Sequence, residues 1–138
     1  MNNSSIGSVE LQQALYTLLS TGKYPVFEVV PKDKHYPYIN IRIQSKNSEF
    51  TKTDTNRYTY FVYIHSWSKG TSSMESKIMD NFIEQSVMGL DSKAVAGFNV
   101  DMVKFGFGET LTEVEIGTNI FQGIQQYEIT LSEEKGVV

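Results

Sequence analysis

Few side chains in this sequence can carry chemistry. There is no cysteine and there are two histidines, His35 and His65, so nucleophile–base pairs have almost nothing to draw on. The histidines lie 30 positions apart and match neither HExxH nor HxH spacing, which gives no pointer to a metal. His35 falls between Pro31 and Pro37 and is expected to be solvated. His65 lies in an apolar run beside Trp67 and reads as a packed, hydrogen-bonded histidine. Glu109, Glu113 and Glu115 supply oxygen ligands of the kind a hard cation takes. They lack the alternating Asp/Asn pattern around a glycine that makes a calcium loop, so a solvated charged segment is the better reading. Gly106-Phe107-Gly108 is followed by neither GK[ST] nor a helix and is no phosphate cradle. No catalytic, cofactor-binding or metal-binding residue is expected, and no enzyme.

The elements around these residues are organised by one stretch, Tyr58 to Ser68. Tyr58, Tyr60, Val62 and Ile64 alternate with Phe61, Tyr63 and Trp67, so both faces carry bulk and a central strand over 57–67 is predicted. Helices would cover one face, and a loop or a neighbouring subunit the other. Ser72-x-x-Glu75 then matches a capping box, opening a helix over Ser73–Val87. In that helix Met74, Ile78 and Phe82 form one apolar row, and Met79, Ile83 and Val87 lie beside it. Phe61, Trp67, Ile78 and Phe82 are the expected structural core.

Upstream, Ser8–Leu19 is amphipathic, with Ser8 as cap, Glu10 in the first turn and Gly22 as the stop. Val26–Val30 reads as a short strand. Tyr38–Gln44 alternates Ile39, Ile41 and Ile43 with Asn40, Arg42 and Gln44, a strand with one wet or subunit-facing side that pairs with the central strand as a hairpin. Downstream, Gly97–Phe105 and Ile120–Leu131 are strands, with Gly123 a bulge or a point of close approach. Residues 45–56 and 106–119 are polar and read as long loops; 1–7 and 133–138 read as flexible ends. The fold class is a single α+β domain over 1–138, in the order α-β-β-β-α-β-β. Its mixed or mainly antiparallel sheet has about five strands, with two helices on one face.

Composition narrows the functional classes. With 138 residues, 40% hydrophobic and 20% charged, the chain is an ordinary globular domain able to bury a core. A net charge of −4 argues against gripping nucleic acid through its phosphates. No apolar run approaches the roughly 20 residues that span a bilayer. Met1–Ser5 has neither the basic nor the apolar region of a secretory leader, and the lack of cysteine suits a reducing cytosol, so no membrane association is expected. Eight tyrosines, eight phenylalanines and one tryptophan are many for this size, and some suit a subunit interface.

Three segments in order carry a resemblance: Pro37-Tyr38-Ile39-Asn40-Ile41, then Tyr63-Ile64-His65-Ser66-Trp67-Ser68, then the helical Ser76–Ile83. With the N-terminal helix leading into Val26–Val30, this order resembles the tail terminator or tail-completion proteins, the head–tail joining proteins of long-tailed bacteriophages. The resemblance implies a structural protein of the virion tail or neck, assembled in the host cytoplasm. Its partners would be itself, as a homo-hexameric ring, the tail tube protein, and the head completion or connector protein. DNA would pass through the lumen without being specifically bound. Phe50, Lys52, Asp54, Glu109, Glu113 and Glu115 are then candidates for docking, on two segments (46–55 and 107–118) expected to be the most mobile before assembly. The alternative is a small-ligand pocket protein lined by Tyr58, Tyr60 and Tyr63.

Overall fold

The computed structural model describes residues 7–50 and 55–134. The elements are α1 (Ser8–Leu19), β1 (Val26–Phe27), β2 (Tyr38–Phe50), β3 (Thr55–Gly70), α2 (Met74–Met88), β4 (Asn99–Glu115) and β5 (Thr118–Glu134). They form a five-stranded mixed sheet in the order β1-β2-β3-β5-β4, parallel at β1–β2 and antiparallel elsewhere. Element order, strand number and class are as the sequence predicts.

β3 lies at the centre, as its two-faced pattern requires. Its even-numbered side chains Tyr58, Tyr60, Val62 and Ile64 are buried, and register places Leu131, Ile129, Tyr127 and Gln125 beside them on β5. Ile39 and Ile41 of β2 join the same face, and Leu11, Leu15 and Leu19 of α1 with Met79, Ile83 and Val87 of α2 close over it as one core. Both helices therefore cover one face. The other face keeps Phe61, Tyr63, His65 and Trp67 of β3 half-buried, with no helix on it.

Several local expectations are corrected. Residues 106–115 are not a loop but the second half of β4, paired with β5 from Phe107↔Gln126 to Glu115↔Thr118, and Gly117 at φ +79° makes the turn between them. Glycine suits that left-handed position. The connector read over 45–56 is also strand at both ends, Phe50 pairing with Asn56, while 51–54 lie outside the described residues. Glu133 and Glu134 extend β5, so the C-terminal end begins later than expected. β1 is two residues long because Asn40 donates its side-chain amide to the carbonyls of Phe27 and Glu28, at 3.0 and 2.9 Å, where the chain turns away.

The helix ends differ too. Gly7, not Ser8, caps α1, at φ +79°. Its missing Cβ leaves room for the Tyr60 hydroxyl, which a Cβ would meet at 2.6 Å. Gly22 lies beyond the helix end and makes room for the Phe82 ring. The capping box does not close: Ser72 Oγ accepts from the amide of Met74 at 3.0 Å, while Glu75 turns away to accept from the Tyr24 hydroxyl at 3.1 Å. On α2 the sheet-facing row is Ser76, Met79, Ile83 and Val87. Ile78 is 48% exposed and is not core, and Met74 is 64% exposed; Phe82 is half-buried against the core, its ring 6.2 Å from that of Tyr24.

Candidate functional site

The candidate site is a surface: the uncovered face of the sheet and its two margins. Alternation places Asn40 and Arg42 of β2, then Phe61, Tyr63, His65 and Trp67 of β3, on that face. Gln122, Ile124, Gln126 and Glu128 of β5 and Lys104, Phe107, Glu109, Leu111 and Glu113 of β4 follow across it. A strand exposes alternate side chains to opposite faces, so this set is fixed once the even positions of β3 are buried.

Cross-strand contacts tie the face together. Trp67 stacks on Tyr38, centroids 6.0 Å apart at 16°, and Tyr63 meets Phe107 edge-on at 6.3 Å. Gln126 donates to the Tyr63 hydroxyl at 3.1 Å, and Gln122 sits 3.0 Å from His65 Nδ1. Burial, followed by the positive charge of Arg42, pulls the His65 imidazole below its ordinary value of 6.5, so it is neutral at pH 7. It is a packed residue of the sheet, as its sequence setting indicates. Toward the β4 margin the apolar groups become more open: Phe107 is 43% and Leu111 46% exposed.

The helix-covered side holds one polar knot. Ser66 Oγ donates to Asp80 Oδ1 at 2.7 Å, Gln125 donates to the Asp80 carbonyl at 3.0 Å, and the Tyr127 hydroxyl donates to Gln125 Oε1. Burial lifts the Asp80 carboxyl above its ordinary 3.8, and the Ser66 hydrogen bond partly opposes this. Gly123 is the close-approach point, not a bulge: a Cβ there would meet Ser66 Oγ at 2.3 Å and Asp80 Oδ1 at 2.4 Å. These hydrogen bonds join α2 to the sheet.

Of the docking candidates, Phe50, Glu109, Glu113 and Glu115 fall on strands rather than in loops. Glu109, Glu113 and Glu115 are exposed on β4, and Glu115 lies 3.4 Å from Lys69 in an exposed pair. Phe50 ends β2, and Lys52 and Asp54 lie outside the described residues. Among the core candidates, Phe61 and Trp67 sit half-buried on the uncovered face, Phe82 borders the core, and Ile78 is exposed. Tyr58, Tyr60 and Tyr63 do not share a cavity. Tyr58 is sealed in the core and hydrogen-bonds Glu133 at 2.7 Å, while Tyr63 is on the opposite face. Among the described residues no cluster of three or more His, Asp or Glu is placed to hold a metal, and no helix is long and apolar enough to cross a membrane. The two margins of the sheet were missed by sequence reading, since nothing in composition marks a strand as an edge.

No family model matches the chain, and no curated protein does. Among solved structures it is similar to a chain from the virion of a native gene transfer agent particle, at 12% identity and a TM-score of 0.68. The likeness covers 87% of this chain and 94% of the other, so it spans the whole fold rather than one motif. At this identity it establishes a shared fold.

Proposed function

We propose that this protein is a structural subunit of a phage-like particle, and specifically a tail terminator. In this reading it caps the finished tail tube as a hexameric ring, stops tube polymerisation and joins the tail to the head connector. DNA passes through the lumen unbound. The observation that carries the reading is the near-complete superposition on a virion chain, with 94% of that chain covered. The order of motifs around Tyr38, Trp67 and α2 supports it independently. A sheet with one sealed face, one aromatic face and open margins suits a subunit whose remaining cover comes from neighbours. The net charge of −4 suits a channel that DNA slides through, because affinity for DNA comes from cations on its phosphates.

The test is assembly. Particles produced without this chain should comprise full heads and separate tails whose tubes vary in length, counted by electron microscopy. Normal joined particles in its absence would overturn the proposal.

A further inference from the structure

The sheet has two open margins on opposite sides. We infer that they are partners: the free edge of β4 on one copy adds, antiparallel, to the free edge of β2 on the next copy. This rests on the ring reading above and names the surfaces that would build the ring.

At one margin, the register of β1 on β2 stops at Phe27↔Asn40, leaving β2 from Ile41 to Phe50 without a strand on that side among the described residues. The Ile39 amide donates outward to Pro25 at 2.8 Å, so alternation turns the backbone groups of Ile43 outward as well. Above this edge runs a groove of about 960 Å³, walled by Val9 and Gln12 of α1 on one side and Val29 on the other. Val9 and Val29 are 58% and 81% exposed. At the other margin β4, 17 residues long, pairs with β5 alone among the described residues, leaving most of its outer edge open. Only its start is occupied, where the Val100 amide donates to Ser92 at 2.8 Å.

Three features make a second copy the occupant. Strand directions alternate from β2 through β3 and β5 to β4, so β4 runs opposite to β2. Copies related by an axis along the strands therefore meet β4 against β2 in antiparallel sense, with their helices on one common side. The contact is heterologous, each copy using a different margin, and such contacts close into a ring when the rotation between copies closes. Charge agrees: Arg42 lies on the uncovered face at the groove, and Glu109 and Glu113 lie on the same face of β4, none in an ion pair among the described residues. An open edge this long otherwise invites uncontrolled pairing.

The cysteine-free sequence allows a direct test. Gln44→Cys is combined in turn with Glu109→Cys, Leu111→Cys and Glu113→Cys, then oxidised with and without tail tubes and run on non-reducing gels. At least one pair should give a ladder of linked copies that single-cysteine variants do not give. In parallel, Thr112→Pro removes an amide that alternation, carried from Ile39 through the register of the sheet, turns away from β5, so it should leave the melting curve in place yet abolish the assembled species in sedimentation. If assemblies form but no pair links and Thr112→Pro still assembles, the edge pairing is wrong while the ring reading stands. If the protein stays monomeric both alone and on tubes, ring and edge pairing both fail.

Discussion

Gly123→Ala puts the joint between α2 and the sheet to the test. The added Cβ would lie 2.3 Å from Ser66 Oγ and 2.4 Å from Asp80 Oδ1, so one of three things must give. Asp80 can rotate away, breaking a charge-assisted hydrogen bond and leaving a 1% exposed serine unpaired, at about 1.5–3 kcal/mol. Ser66 can rotate, with the same loss. Alternatively α2 can lift from the sheet, an overpacking cost of about 1–3 kcal/mol. These routes relieve one another and do not add, so the cheapest governs and the expected loss is about 1–3 kcal/mol. At about 3–4 °C per kcal/mol for a domain of this size, the melting point should fall by about 3–12 °C. Thermal denaturation followed by circular dichroism at fixed protein concentration reads this out. In an Asp80→Ala background, where the obstructing carboxylate is gone, the same substitution should cost less than about 1 kcal/mol. A melting point within about 1 °C of the parent, or an equal cost in both backgrounds, would show that this contact is not what requires glycine.

Three further outcomes follow from the same geometry. Phe82→Ala should cost about 2–3 kcal/mol in chemical denaturation, below the full core value because the ring is half-exposed, while Ile78→Ala should change stability by less than about 0.5 kcal/mol. Asp80 has a raised folded-state pKa, so the stability gained from its neutral form is complete below about pH 4 and is lost as pH rises through the raised value. Asp80→Asn should therefore gain on the parent between pH 4 and neutrality; no pH dependence in the difference would contradict this. His65 has a lowered value, so its contribution is present above its ordinary 6.5 and lost as pH falls through the folded value. His65→Gln should lose less stability than the parent between pH 7.5 and 5, read from denaturant midpoints.

The legible parts of the fold were those where pattern and packing agree. The two bulky faces of Tyr58–Trp67 could only be a central strand, and Gly123, amid a strand pattern, marked a close approach that the Asp80 contact explains. β4 was legible only to Phe105. Its second half, Gly106 to Glu115, is glycine- and acid-rich, and such residues are weak strand formers on their own. They are strand because β5 supplies a partner along the whole length, a non-local cause that no window on the sequence contains. On α2 the apolar part of the sheet-facing row, Met79, Ile83 and Val87, was legible, but Ile78 was counted as core beside it and polar Ser76 gave no apolar signal. The open margins were invisible because strand order, unlike strand identity, is decided by pairing.

The dimensions of the fold leave part of the sheet beyond the cover of its own helices. β4 and β5 are 17 residues each, about 56 Å when extended, whereas the 15 residues of α2 span only about 22 Å. The covered face of β5 is buried from Phe121 to Ser132, and the cover stops short of the β4–β5 hairpin end. The uncovered remainder includes the end of the β4–β5 hairpin, where Val114 is 81% exposed and Ile116 fully so, and the whole second face of the sheet. A monomer built for solution would shorten such strands or charge them throughout. Here three cross-strand groups of aromatic rings and glutamines, Tyr38–Trp67, Gln122–His65 and Gln126–Tyr63–Phe107, tie the open face together. The cross-strand ties order this face, and the long strands carry it beyond the reach of the chain's own helices. Both features suit the ring subunit proposed above.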